Sequence, residues 1–213
     1  MAEDPSKPAW RKRERRPPTA GPAPTEARLH EAALNHLARF AATEAGLTRV
    51  LQRRVARWAQ RAEREGMPPE QIAPIVEQGR AAAAGVAKRM VSAGAVDDAA
   101  FAASRARRLS RAGRSRRAIS AHLAAKGVGG EVAAETLEEA GTDEVAAALA
   151  HLRRRRQGPF DPSPPEEPEA MRTARMKAMG SLARAGFPRE VAEAALDTDP
   201  AEAEMRIIES RRG

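Results

Sequence analysis

Between Phe101 and Lys126 the chain carries eight basic side chains and no acidic one: Arg105, Arg107, Arg108, Arg111, Arg114, Arg116, Arg117 and Lys126. Arg107, Arg111 and Arg114 recur at steps of four and three, which aligns them along one side of a helix. Arg116 and Arg117 stand at the start of the next one. The flanking stretches hold Asp97, Asp98, Glu131, Glu135, Glu138 and Glu139, so the positive charge is concentrated in the middle. The chemistry open to such a ridge is recognition of an anion, either nucleic-acid phosphate or an acidic protein groove. The plainer alternative is an ordinary solvated, arginine-rich face.

Other chemistry finds little support. The histidines, His30, His36, His122 and His151, include no pair at the i, i+4 spacing of a helical zinc site. Gly127, Gly129 and Gly130 sit between two helical stretches rather than after a strand, which excludes a dinucleotide fingerprint. With no cysteine, disulfides, thiolate nucleophiles and Cys-ligated zinc are ruled out. Glu138–Glu139 and Glu166–Glu167 read as solvated faces, because a catalytic carboxylate needs a pocket that perturbs it. The expectation is a protein that is not an enzyme and uses no metal or cofactor. Aromatic residues are few, and Phe40, Phe101 and Phe187 are expected near the core. No ring is left to stack on bases, so any nucleic-acid contact would be electrostatic and blind to sequence.

The elements that position the ridge are helices. Leu29, Ala33, Leu37, Phe40 and Ala41 share one helical face; Leu47, Leu51, Val55, Trp58 and Ala59 continue the pattern. Gly66 stops that run, Pro68–Pro69 open a long helix to about Ser92, and Gly94 ends it. Asp97–Asp98 form an N-cap with acid in the first turn, ahead of a helix broken by Gly113. Ser115 caps a helix bearing Ile119 and Leu123, closed by Lys126–Gly127, and a short helix from about Glu131 to Ala140 follows. No alternating run is long enough for a strand, so an all-α protein is expected.

A repeat underlies this order. Shifted by 59 residues, Leu123, Gly127, Val128, Glu131, Val132 and Leu137 land on Leu182, Gly186, Phe187, Glu190, Val191 and Leu196. Shifted back by 61, Gly127 lands on Gly66 and Leu137 on Val76. The pattern predicts three tandem three-helix repeats at 29–96, 97–140 and 141–197, packed side by side to share a core none could bury alone. A proline-rich loop at 157–169 interrupts the third. Residues 1–28, with six prolines and a basic run from Arg11 to Arg16, are expected to be a disordered tail, and 198–213 a frayed C-terminal tail.

Composition agrees with thin cores. Of 213 residues 49 are Ala, while Leu, Val, Ile and Phe together number 31, about 15%. That lies below the roughly 20% at which a highly charged chain is suspected of disorder, and it excludes one large core. The net charge is +8, which favours polyanions. No stretch approaches the ~18 apolar residues of a membrane span, and the charged, proline-rich start lacks the apolar segment of a secretory signal. A soluble, cytoplasmic protein is expected.

The stretch from Gly94 to Ala140 resembles the RecX family. It matches a pattern of hydrophobic-Asp-acid-x-x-Phe-Ala, Gly, basic cluster, Ile and Leu-x-x-Lys-Gly-Val through Val96, Asp97, Asp98, Phe101, Ala102, Gly113, Arg117, Ile119, Leu123, Lys126, Gly127 and Val128. Leu182 to Leu196 is similar to the family's last repeat. The first repeat departs from the family form, with Thr48 to Val55 its nearest stretch, and Ser115–Arg116 stands where Gly-Pro is frequent. The resemblance implies an elongated, curved helical array. It also implies a cofactor-free monomer that binds the RecA recombinase and its filament on single-stranded DNA, and inhibits strand exchange, the coupled ATPase and co-protease activity. In that setting the eight basic residues would contact RecA or DNA phosphate. The competing expectation is a sequence-independent DNA-binding helical protein, touching single- or double-stranded DNA and acting without RecA.

Overall fold

The computed structural model describes residues 20–212, and all regular structure among them is helical. Ten α-helices follow in order: α1 (Glu26–Leu37), α2 (Glu44–Arg64), α3 (Pro69–Ser92), α4 (Asp98–Arg111), α5 (Arg116–Lys126), α6 (Gly130–Glu139), α7 (Glu144–Arg155), α8 (Pro168–Arg184), α9 (Arg189–Asp197) and α10 (Pro200–Arg212). A single 3-10 turn covers Gly158–Phe160. The expected all-α class holds.

Local chemistry sets the helix ends. Thr43, Asp97, Ser115 and Asp143 each accept a hydrogen bond from the amide three residues on, at 2.8–3.2 Å, capping α2, α4, α5 and α7. A cap of this kind contributes about 1 kcal/mol. The helices α2, α5 and α8 also end alike. Gly66, Gly127 and Gly186 adopt φ of +84°, +89° and +87°. The following amides, of Met67, Val128 and Phe187, donate back to the carbonyls of Ala62, Leu123 and Leu182 at 3.0–3.1 Å. This reversal needs a left-handed residue that glycine adopts without steric cost, which is why glycine recurs at the 61- and 59-residue intervals.

Packing repeats as well. The helix α3 leans on both α1 and α2, α6 on α4 and α5, and α9 on α7 and α8. Three clusters of buried apolar side chains follow the trios: Leu29, Leu47, Leu51, Val55, Val86 and Met90; then Ala102, Ala106, Ile119, Leu123, Val128 and Leu137; then Leu149, Leu152, Leu182 and Phe187, joined by Ile207 of α10; a smaller fourth holds Ala20, Trp58 and Ala62. We take each trio as one repeat unit. At roughly 1.5–3 kcal/mol per large side chain, the second cluster is the weakest of the three, since Ile119, Leu123, Val128 and Leu137 are its only buried large side chains.

Three expectations are corrected. Residues 20–28 are not a disordered tail. Ala20 is buried, its amide donates to Glu65 Oε1 at 2.7 Å, and Trp58 Nε1 donates to the Gly21 carbonyl at 3.2 Å. The Trp58 ring stands at the margin of the first core and needs cover, which this segment supplies; residues 1–19 lie outside the described residues. Phe40 is 59% exposed, because α1 stops at Leu37 so that the chain can turn into the Thr43 cap, and its ring rests near His36 instead. Residues 198–212 are not frayed. Ala203 and Ile207 of α10 are buried in the third core, and Arg206 and Glu204 pair with Asp143 and Arg153 at 2.6 and 2.9 Å.

Candidate functional site

Two joints hold the second unit between its neighbours, and they use the same parts. At the first joint, the capping hydroxyl of Thr43 donates to the Lys126 carbonyl at 2.7 Å, and the Glu44 amide donates to Asp98 Oδ1 at 2.8 Å. At the second, Ser115 donates to the Ala185 carbonyl at 2.7 Å, and the Arg116 amide donates to Glu144 Oε1 at 3.0 Å. Each hydroxyl accepts from its own helix and donates to the turn at the end of the next unit's middle helix. Each carboxylate is on the first residue of that next unit's leading helix, α4 or α7. The linker glycines lie in the seam: a Cβ on Gly127 would strike the Ala45 methyl, and one on Gly186 would come 2.9 Å from Ser115 Oγ. Both hydroxyl residues are buried, so losing either donor strands a carbonyl.

The joints position the arginines. Of the eight residues singled out from sequence, Arg105 and Arg108 of α4, Arg114 in the turn after it and Lys126 at the end of α5 all act on His122. There burial, followed by the charges of these four residues, lowers the His122 pKa, and its buried Nε2 has no hydrogen-bond partner among the described residues. The Arg105 guanidinium also stands 5.3 Å from the Phe101 ring centroid, a cation–π contact. Arg107 and Arg111 line a separate depression with Ala140, Thr142 and Asp143. Arg116 is committed inward, donating to the Leu137 carbonyl at 2.7 Å, and Arg117 lies along Gly186. The ridge is therefore a fan of two flanks with one member folded back.

The structure adds residues that sequence reasoning left unassigned. Arg154 donates to the carbonyls of Ala112 and Gly113, tying α7 to the end of α4. With Arg114, Arg155, Arg184, His151 and Ser181 it lines a cleft of about 520 Å³ between the second and third units. His151 is buried against Ser181 Oγ at 3.1 Å and edge-on to Phe187. Burial, then the charges of Arg155, Arg154 and Arg114, push its pKa down to about 4, so it is neutral at pH 7. The run Arg153–Arg156 was visible in the sequence, but its members diverge: Arg153 pairs with Glu204 while Arg154 and Arg155 turn to the cleft. Among the described residues no cluster of His, Asp and Glu is placed to hold a metal, and no helix is long and apolar enough to cross a membrane.

These features define a class: a tandem array of three-helix units whose charged chemistry lies on its surface and at its joints. Residues 97–137 match the family model described as RecX, second three-helix domain. The regulatory protein RecX of Myxococcus xanthus strain DK1622 is 36% identical over 176 residues, spanning 81% of this chain and 86% of that one. A crystal structure of regulatory protein RecX is 21% identical with a TM-score of 0.48, covering 81% of this chain and 72% of its own. The chain belongs to the RecX family, whose named relatives here are regulatory proteins.

Proposed function

We propose that this protein regulates the RecA recombinase. It binds RecA and its filament on single-stranded DNA and holds down strand exchange, the coupled ATPase and co-protease activity. It works as a cytoplasmic, cofactor-free monomer serving DNA repair and homologous recombination. The observation that carries the reading is the exposed basic surface of α4 and α5. Arg107, Arg108, Arg111, Arg114, Arg117 and Lys126 are exposed and make no ion pair among the described residues. A curved array would lie along the filament with this surface against acidic faces of RecA.

RecA-dependent ATP hydrolysis on single-stranded DNA tests it. The wild-type chain should lower the rate, and the Arg107→Glu/Arg108→Glu/Arg111→Glu/Arg117→Glu variant should lose most of that effect. Arg116 is left in place because it holds the Leu137 carbonyl. Unchanged inhibition by the variant would remove these residues from the contact. The second reading, a DNA-binding protein acting without RecA, is favoured by the cationic cleft between the second and third units. Direct DNA affinity with a steep salt slope and no effect on RecA would select it.

A further inference from the structure

The cleft at the second joint collects more positive charge than its surroundings neutralise. Its lining holds four guanidinium groups, Arg114, Arg154, Arg155 and Arg184, and no carboxylate. Three helices, α4, α7 and α8, end at its rim. Their C-termini supply at most about half a negative charge each, so a surplus of at least about two and a half positive charges remains. Arg154 alone is committed to carbonyls; Arg114, Arg155 and Arg184 are exposed and unpaired among the described residues. Two neighbours register the crowding. Burial and then the charges of Arg114 and Arg155 lower the Arg154 pKa, and His151 is kept neutral.

Guanidinium forks match the oxygens of phosphate in a bidentate way. The rings nearest the cleft, His151 and Phe187, are buried, so none is offered for base stacking. The positive charge does not end at the cleft: Arg114 also acts on His122, as do the exposed Arg108 and Lys126 and the half-buried Arg105. A lone phosphate needs only the cleft, whereas a repeating chain of phosphates uses the whole track.

We propose that the cleft formed by Arg114, Arg154, Arg155 and Arg184 seats the phosphodiester backbone of a nucleic-acid strand, which runs on over the His122 face. The site reads phosphate and not sequence. It rests on the DNA-binding reading above, to which it adds the site and the strand, and it stands or falls without any contact with RecA.

The test uses the full chain with a fluorescein-labelled oligo(dT), read by anisotropy across a salt series. The Arg114→Glu/Arg155→Glu/Arg184→Glu variant should bind at least about tenfold more weakly, with the log–log salt slope reduced by about 2, since each single-strand phosphate contact contributes about 0.7. A charge-matched variant on α2, Arg53→Glu/Arg57→Glu/Arg61→Glu, should lose much less. Equal losses in the two variants would mean diffuse attraction and overturn the site, as would tighter binding of poly-glutamate than of the oligonucleotide. Inorganic phosphate shifting the His151 resonances while the oligonucleotide fails to bind would overturn the strand. A second readout needs no variant: the His151 imidazole resonances should shift on adding oligo(dT), and the His151 pKa should rise from about 4 as the anion offsets the arginines. Resonances unmoved at saturating oligonucleotide would overturn the proposal even if the triple variant failed to fold.

Discussion

The two joints share a plan and differ in what surrounds it. The first rests on the Thr43 hydroxyl, the Glu44–Asp98 bond and Arg49, which donates to the Lys126 carbonyl at 2.8 Å. The second has the matching Ser115 and Arg116–Glu144 bonds and two further ties. Arg154 spans from α7 to the carbonyls of Ala112 and Gly113, and α10 packs on both α7 and α4. At that joint Gly113 is also pressed against the α7 backbone, where a Cβ would come 2.8 Å from the His151 amide. A joint made of two or three hydrogen bonds is replaceable piece by piece. One that also involves a packed helix and a charged cleft couples stability to pH and to ligands. The second and third units should therefore move as one body, with the first hinged on it.

The largest test of this difference is steric. A valine at Gly127 or Gly186 must hold a left-handed φ that a branched side chain resists, and must push the seam apart. Each change should cost about 3 kcal/mol in urea unfolding. Gly127→Val should split the transition in two by releasing the first unit, whereas Gly186→Val should leave it single. Two resolved transitions in Gly186→Val would mean that α10 does not brace the second joint.

Acid should act most strongly at the second joint. His151 titrates near 4 in the fold against 6.5 in the unfolded chain, through burial and the charges of Arg155, Arg154 and Arg114. Between these pH values the unfolded state binds the extra proton, so stability falls as pH drops from 6.5 towards 4 and levels off below. At about 1.4 kcal/mol per unit the loss is up to about 3 kcal/mol. Melting curves across this range should show it in the wild type, and His151→Gln should abolish that component.

The joint hydroxyls come next. Thr43→Val and Ser115→Ala each remove a cap and a cross-joint donor, for about 2 kcal/mol in all. Hydrogen exchange should report faster opening of α2 amides in Thr43→Val than of α5 amides in Ser115→Ala, because Arg154 still holds the second seam. The smallest effect is expected for Arg206→Gln. Its pair with Asp143 is partly exposed, so it should contribute no more than about 1 kcal/mol. In that background the Gly186→Val unfolding curve should come to resemble that of Gly127→Val.

Much of the framework was legible beforehand. Asp97, Ser115 and the glycines at 66, 127 and 186 act through their own helices, so local pattern was enough to place them. Ser115 was readable as a cap, but its second bond, to Ala185, was not. That partner lies 70 residues away and is a backbone carbonyl, which carries no residue-type signal. The eight basic residues were found as a ridge, yet only the packed helices divide them between two flanks and fold Arg116 inward. Phe40 was misjudged because periodicity continues past the point where the helix stops, and α10 because one buried isoleucine and two ion pairs make a weak pattern in sequence.

By itself, the sequence determined the helical class, the three-fold pattern, most helix ends and the concentration of arginine around the second unit. All of these depend on side chains a few residues apart, whose spacing and capping chemistry are written directly in the chain. Tertiary structure decided which charges share a surface, how the two joints differ, and that Arg114, Arg154, Arg155 and Arg184 enclose one cleft around a neutral His151. Those properties arise between elements, where a rotation of one helix by a residue redirects a guanidinium by about 100°.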